Sequence, residues 1–446
     1  MNILTFTTLW PNREQPNFGI FVKNRVAALA KLDGVNVRVV APVPYFPNTS
    51  WEFHRRDAEN TEVAQSGRGK LRVFSANLCA SAVETTFKKL ISESTRNRWQ
   101  QLARVPEWER IADLPAFHPR YLVTPKIGMS FYGGWMASGA WETVQRLHAE
   151  KPFDLIDAHY AYPDGYAATV IGERLNIPVF ITARGTDINL FSRMPLIRPK
   201  IVQALNRAAG VIAVSEALKT RMVELGISPE KIAVIRNGID REVFYPRDRD
   251  DARRRLALDP EDRILLCVAA LVPVKGIHRL IEAVALLKAA EPESRLKLLV
   301  IGEGSERRAL ESQIATLNLQ DCIRLLGAKP QNDLADWYSA ADLFCLASHR
   351  EGHPNVVVEA LACGLPVVAA NVGGVAELVS SQMYGRLISQ PNAENFAAEI
   401  QTALRTVWNR EEIAATSAAK SWSEVASEVW QFFTTNADFA KVLNNH

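Results

Sequence analysis

The segment from Asp342 to Leu378, DLFCLASHREGHPNVVVEALACGLPVVAANVGGVAEL, admits few folds. Asp342 to Ser348 is an apolar run closed by a polar loop, which predicts a buried strand; Asn355 to Cys363 has helical apolar spacing ended by Gly364. A second apolar run, Pro366 to Ala370, follows at once. Strand, loop, helix and strand in that order make a parallel α/β unit, because parallel strands need a crossover that a helix supplies. Ligands of such units bind beyond the carboxyl ends of the strands, so chemistry is expected in the loop from Ser348 to Pro354.

Pro354 suits a first helical position, which would leave the amides of Asn355, Val356 and Val357 free at a helix N-terminus for a phosphate. Glu351 precedes that helix and Glu359 lies about one turn inside it, so both carboxylates are expected to face one cavity at different depths. A carboxylate repels phosphate. Both are therefore read as acceptors for hydroxyls, and the ligand as a diphosphate flanked by sugars. A surface glutamate before an ordinary helix, with a second on its exposed face, accounts equally well for the spacing alone.

The whole phrase resembles the Glu-x7-Glu motif of the retaining family-4 glycosyltransferases, and the match runs on through EALACGLPVVA and GGVAEL. The resemblance is strong from Ala209 to Ile388 and poor from Pro42 to Gly134. It implies an α/β, GT-B fold: two Rossmann-like domains facing an interdomain cleft, with the C-terminal helix crossing back to the first domain. It also implies that Glu351 contacts hydroxyls of the transferred sugar and Glu359 the nucleotide ribose, with Gly352, Asn355, Val356 and Val357 among the donor contacts.

A chain of 446 residues is too long for one core. Residues 1–245 are expected to form an acceptor-side domain and 246–417 a nucleotide-sugar domain, with 418–446 a helix that packs back on the first. With 48% hydrophobic and 23% charged residues, disordered and collagen-like classes are excluded, and a net charge of +3 argues against a nucleic-acid partner. Cys79, Cys267, Cys322, Cys345 and Cys363 lack paired spacing, so neither zinc nor a disulfide framework is indicated. MNILTFTTLW has no basic head or small-residue cleavage site, and no apolar run reaches transmembrane length. The expectation is a cytoplasmic enzyme whose membrane contact, if made, is peripheral at the inner face.

In the first domain, Asn2 to Thr7 and Asn36 to Ala41 read as strands around a helix from Gly19 to Leu32. Gly19 either lets backbone approach a ligand or simply starts a helix; the resemblance favours the former, because the family carries a glycine-containing loop here. From Pro42 to Gly134 the pattern is irregular, with basic clusters such as His54-Arg55-Arg56 and Lys88-Lys89. These fit an anionic acceptor at a membrane surface or an ordinary solvated face. Regular rhythm resumes with a helix from Trp135 to Glu150, a strand from Phe153 to His159, a helix from Asp164 to Leu175 and a strand from Pro178 to Arg184. The loops HYAYPDG and RGTDIN then fall at carboxyl strand ends, placing His159 and Arg184 at the cleft, with Asp164 and Asp187 on the acceptor side. Each could instead be a structural loop residue. The family phrase at the second loop is His-Gly-x-Asp, with the histidine beside the sugar's 6-hydroxyl; here it reads Arg184-Gly185-Thr186-Asp187. An arginine there could pair with the carboxylate of a uronic-acid donor.

NGIDREVFYP resembles the end of the family's first domain, and the charged DRDDARRR after it reads as a linker. Asp248-x-Asp250 spells a metal pattern of another glycosyltransferase fold, but it lies in a charge run outside any strand end and is not read as a metal site. Arg263 to Leu271 is expected as a strand and Gly276 to Ala289 as a helix, with Lys275 between them, where an ammonium can reach a phosphate. ALVPVKG resembles the family loop in which an arginine five residues earlier shares the diphosphate; here that position is Ala270. Lys275 and the helix N-terminus must carry more charge, or Arg350 or Lys329 substitutes. The resemblance puts Gly327 to Lys329 at the base pocket. Trp422, Val425, Val429, Trp430 and Phe433 form an apolar stripe at helical spacing, the expected buried face of the returning helix.

These readings converge on a retaining, metal-independent glycosyltransferase with no cofactor. It would move a sugar from a nucleotide-diphosphate donor, a UDP-sugar, to a hydroxyl of a glycan or lipid-linked glycan in cell-surface polysaccharide synthesis. Glu351, Lys275, His159 and Arg184 form the expected catalytic group. The alternatives are a sugar-nucleotide epimerase, a phosphorylase, for which no pyridoxal-phosphate lysine stands out, and a non-catalytic sugar-nucleotide binder.

Overall fold

The computed structural model describes residues 1–45, 93–124, 128–417 and 419–443; the clusters at His54 to Arg56 and Lys88-Lys89, and Cys79, lie outside them. In chain order the strands are β1 (Asn2–Phe6), β2 (Asn36–Val40), β3 (Val43–Tyr45), β4 (Trp108–Ile111), β5 (Leu114–Phe117), β6 (Arg120–Leu122), β7 (Leu155–His159), β8 (Val179–Ala183), β9 (Gly210–Ala213), β10 (Ile232–Val234), β11 (Arg263–Val268), β12 (Leu296–Ile301), β13 (Ile323–Leu325), β14 (Leu343–Leu346), β15 (Val367–Ala370) and β16 (Gly385–Ile388). They build one sheet in the order β10-β9-β8-β7-β1-β2-β5-β4, a second in the order β13-β12-β11-β14-β15-β16, and a β3-β6 pair. Every residue of β7, β8 and β14 is buried, as expected of parallel strands covered by helices on both faces.

Sheet order explains where a ligand can sit. In the first sheet the chain runs outward from β1 in both directions, to β2 on one side and β7 on the other. In the second, β11 has β12 on one side and β14 on the other. At each of these switch points the loops leaving two adjacent strands diverge to opposite faces, opening a crevice. The loop after β1 carries Gly19 and that after β7 follows His159. The loop after β11 carries Lys275 and that after β14 carries Glu351. Residues far apart in sequence are thus delivered to two facing crevices.

The helix Trp422–Leu443 returns to the first domain. Val425, Val429 and Phe433 are fully buried in one cluster with Ile3, Val22 and Phe180, each stabilising the contact by roughly 1.5–3 kcal/mol. Gly210 at the start of β9 makes room for this helix, since a Cβ there would lie 2.7 Å from the Phe432 ring.

Three segments depart from the sequence reading. Within the stretch read as irregular, β4 and β5 form an antiparallel hairpin. Its turn residues, Ala112 at φ 50° and Asp113 at φ 61°, adopt left-handed backbone without the glycine that normally signals such a turn. DRDDARRR is no linker: Arg249–Arg255 is a helix capped by the Asp248 carboxylate, and Arg253 is buried with bonds to the Ala340 carbonyl and Asp342. RGTDIN contains a one-turn helix, Thr186–Asn189. No helix among the described residues is long and apolar enough to cross a membrane.

Candidate functional site

In the second domain, the β11/β14 crevice brings Lys275 and Glu351 together, with Nζ 2.7 Å from Oε1. Gly276 sits at φ 61° because a Cβ would lie 2.3 Å from the Ala347 carbonyl, and this close passage of the two loops sets the Lys275 position. Pro354 is the cap of helix Asn355–Ala362 rather than its first residue, in extended backbone at ψ 105°. Its carbonyl accepts the Val357 amide at 3.0 Å, so the amides left for a ligand are those of Asn355 and Val356, not three. The Val357 side chain is fully buried in the core. Glu359, one turn on, accepts from the Tyr338 hydroxyl at 2.8 Å and from Gln331 at 3.3 Å. Burial raises its pKa, and these two donors oppose that shift.

In the first domain a buried polar chain runs from Arg25 to Asp157, His159 and Arg184. Arg25 pairs with Asp157 at 2.5 Å and reaches Thr182 at 2.8 Å. His159 Nε2 lies 3.2 Å from Asp157, and Nδ1 lies 2.5 Å from the Arg184 guanidinium. Burial, then the Arg25 charge, push the His159 pKa down to about 3, so the ring is neutral. Burial would raise the Asp157 pKa, but Arg25 and His159 hold it well below the carboxylate range. His159 therefore reaches the cleft end of β7, yet its fully buried ring holds Arg184 instead of facing a ligand.

Asp164 and Asp187 do not present carboxylates to an acceptor. Asp164 accepts the Thr8 amide, tying the loops after β1 and β7. Asp187 accepts the amides of Ala161, Arg184 and Gly185 and so shapes both loops. Both are fully buried, which raises their pKa values, that of Asp164 to about 7.

The domains meet closely. A Cβ on Gly352 would lie 2.4 Å from the Arg184 carbonyl, so only glycine lets these loops touch. Arg184 donates to Asn237 at 2.7 Å, and Asn237 donates to Asn355 at 2.9 Å. Glu377 of GGVAEL accepts the Ala217 amide at 3.0 Å and pairs with Arg236 at 2.8 Å, latching one domain to the other. His353 lies buried in this interface beside Asn355, with no well-formed hydrogen bond on either ring nitrogen, and burial together with Arg236 lowers its pKa to about 4. Asn237, Arg236, Glu377, Tyr338 and Arg25 were not singled out in the sequence, although Asn237 and Glu377 lie inside the quoted NGIDREVFYP and GGVAEL phrases.

Two cavities flank this contact, Glu359 lining one and Glu351 the other. A cavity of about 250 Å³ is lined by Gly19, Phe21, Lys329, Asn355, Val356 and Glu359 among others. Gly19 is required there, since at φ 66° a Cβ would lie 2.3 Å from the Leu9 carbonyl. A second cavity, of about 440 Å³, is lined by Glu351 with Asn189, Arg193, Arg221, His349 and Arg350. Of the two candidate substitutes for the cation absent at Ala270, Lys329 thus lines the cavity of Glu359 and Arg350 that of Glu351. Gly327, at φ 75°, accepts the Gly302 amide and lines neither cavity.

Residues 248–420 match the family model of glycosyl transferases group 1, and residues 83–243 that of glycosyltransferase family 4. The chain is 28% identical over 409 residues to TuaC of Bacillus subtilis (strain 168), a glycosyltransferase named for teichuronic acid biosynthesis, covering 90% of this chain and 88% of TuaC. It is 30% identical over 320 residues to a D-inositol 3-phosphate glycosyltransferase of Thermobispora bispora, covering 67% of this chain and 74% of that protein. Among solved structures, Anabaena HepE in complex with UDP superposes with a TM-score of 0.61 at 22% identity, covering all of both chains. The facing crevices, the Glu351 to Glu359 phrase and these matches agree: the chain belongs to the group 1, family 4 glycosyltransferases and has their two-domain GT-B fold.

Proposed function

We propose that the protein is a retaining glycosyltransferase that moves a sugar from a nucleoside-diphosphate donor, a UDP-sugar, to a hydroxyl of a glycan or lipid-linked glycan. The observation that carries this reading is the Lys275–Glu351 pair at the second switch point, with Glu351 lining the larger cavity and Glu359 the smaller. The UDP bound by Anabaena HepE supports the base, and the teichuronic acid role in the name of TuaC supports polysaccharide synthesis.

The nucleoside would occupy the smaller cavity with its ribose on Glu359, whose second oxygen Tyr338 keeps in place. The diphosphate would meet Lys275 and the amides of Asn355 and Val356, which stabilise the charge that develops as it leaves. This reading requires no metal. Glu351 would orient the sugar hydroxyls. Among the described residues no carboxylate is assigned as a nucleophile on the opposite sugar face, so the reaction is read as a front-face displacement in which the leaving phosphate oxygen takes the acceptor proton. Arg193, Arg221, Arg350 and His349 around the larger cavity favour an acceptor with an anionic group, such as a lipid-linked diphosphate glycan, met at the cytoplasmic face of a membrane.

The test is a thermal-shift screen of nucleoside diphosphates followed by transfer assays with the best donor, the product anomer being read by NMR. Stabilisation by a nucleoside diphosphate and a product of retained configuration are expected. An inverted product, or binding without transfer or hydrolysis across a broad acceptor panel, would sink the proposal.

A further inference from the structure

Arg184 is a half-buried cation with no carboxylate paired to its guanidinium among the described residues; Asp157 and Asp187 act on it only at a distance. Its guanidinium donates to the Asn237 amide oxygen at 2.7 Å and to His159 Nδ1 at 2.5 Å, and lies 5.2 Å from the centre of the Phe21 ring. All three partners are uncharged. Assigning Nδ1 as the acceptor puts the ring proton on Nε2, which lies 3.2 Å from Asp157 and 3.1 Å from Arg25; burial and the Arg25 charge keep the imidazole neutral. Nε of Arg184 is buried with no hydrogen-bond partner. The nearby carboxylates are committed elsewhere: Asp157 to Arg25 and His159, Asp187 to three backbone amides. Among the described residues no carboxylate oxygen pairs with the Arg184 guanidinium. A partly desolvated charge with an unpartnered buried Nε is left under-satisfied, and an anion that arrives with its own hydrogen-bond acceptors relieves this.

The surroundings say which anion. Phe21, under the guanidinium, and Asn355, bonded to the same Asn237, both line the nucleotide cavity. The Arg184 backbone touches Gly352, the neighbour of Glu351. Arg184 lines neither cavity itself, but it sits on the first-domain side beside the nucleotide cavity and against the loop of Glu351, next to where the transferred sugar would sit. The diphosphate cradle of Lys275 and the Asn355 and Val356 amides belongs to the opposite domain. We propose that Arg184 binds a carboxylate carried by the donor sugar, so that the donor is a nucleoside-diphosphate hexuronate. This rests on the donor site assigned above, and the Arg25–Asp157–His159 chain acts as its positioning device.

The experiment is calorimetric titration of the full chain. Free UDP and GDP identify the base. The hexose and hexuronate of that base are then compared, UDP-glucose against UDP-glucuronate or GDP-mannose against GDP-mannuronate. The wild type should bind the uronate at least about tenfold tighter, the scale of a charge-assisted bidentate bond. Arg184→Gln should equalise the pair while leaving free nucleoside diphosphate affinity unchanged, and Arg184→Lys should keep part of the preference. Arg184→Gln should also raise the melting temperature of the ligand-free chain, because it removes a half-buried cation that no carboxylate pairs. A wild type that binds hexose as well as uronate overturns the proposal. So does an Arg184→Gln variant that loses affinity equally for the free diphosphate, which would put Arg184 on the phosphates. Absence of binding by either free diphosphate would instead refute the donor site itself, and is read from the first titrations.

Discussion

Replacing Lys275 by Met removes the ammonium and keeps most of the side-chain volume. In the ligand-free protein the change strips Glu351 of a partner at 2.7 Å, with Glu351 only 9% and Lys275 23% exposed. Orphaning a fully buried charge costs about 3–5 kcal/mol, and the partial exposure of Lys275 brings this to about 2–3 kcal/mol. In the transition state the loss is of a donor to the departing diphosphate, for which about 2.7–4 kcal/mol, or 10²–10³ in kcat, is the usual scale. Both are measurable: initial rates at saturating donor and acceptor, and melting of the ligand-free protein. Adding Glu351→Gln to Lys275→Met should restore much of the stability, since no charge is left orphaned, but none of the rate. A Lys275→Met enzyme with kcat within about tenfold of wild type would refute the assignment of Lys275 to the leaving group.

Tyr338→Phe removes the donor to Glu359 and leaves a buried carboxylate with Gln331 alone; loss of a bond to a charged group, about 1.5–3 kcal/mol, should weaken nucleoside diphosphate binding tenfold or more by calorimetry. An unchanged Kd would contradict the ribose role of Glu359. Glu377→Ala opens the latch to Arg236 and Ala217; because Arg236 is 40% exposed the pair is weak, and a few-fold gain in open molecules is expected from distances between fluorophores on the two domains. A distance distribution identical to wild type would count against the latch. His353 has a folded pKa of about 4 against an ordinary 6.5, so its neutral ring contributes stability that is complete above 6.5 and is lost as pH falls through 4. His353→Met should therefore shrink the loss of stability between about pH 7 and pH 5 by about 2 kcal/mol, and an equal acid sensitivity in both proteins would show that the ring is not buried neutral.

The second-domain half of the site was legible because its residues hang on local order. A strand, a loop and a helix within the 37 residues Asp342 to Leu378 place Glu351 at a strand end whatever the rest of the chain does, and the same local order after β11 places Lys275. The first-domain half was less legible. His159 and Arg184 could be placed at strand ends, but whether a side chain faces a ligand or a neighbour depends on Arg25, 132 residues from Asp157, and no local pattern announces that ion pair. Asp164 and Asp187 show a different blindness. An aspartate that binds loop amides and one that meets a substrate hydroxyl look identical in sequence, and only burial separates them. The β4-β5 hairpin escaped because Ala112 and Asp113 hold a turn that glycine or asparagine would have advertised. The Pro354 misplacement by one position moved the helix start and with it the count of free amides.

The returning helix Trp422–Leu443 has a consequence for how the protein is made. Synthesis proceeds from the N-terminus, and a domain normally folds as it leaves the ribosome. Here the first sheet emerges early, yet one face of it, with Ile3, Val22 and Phe180, is finished only by Val425, Val429 and Phe433. The second domain, complete by the helix Arg410–Thr416 and Ala419, can close before the first. The nascent first domain must therefore wait with an apolar face uncovered until the returning helix is translated, and such transiently exposed apolar surface is where a chain is open to aggregation.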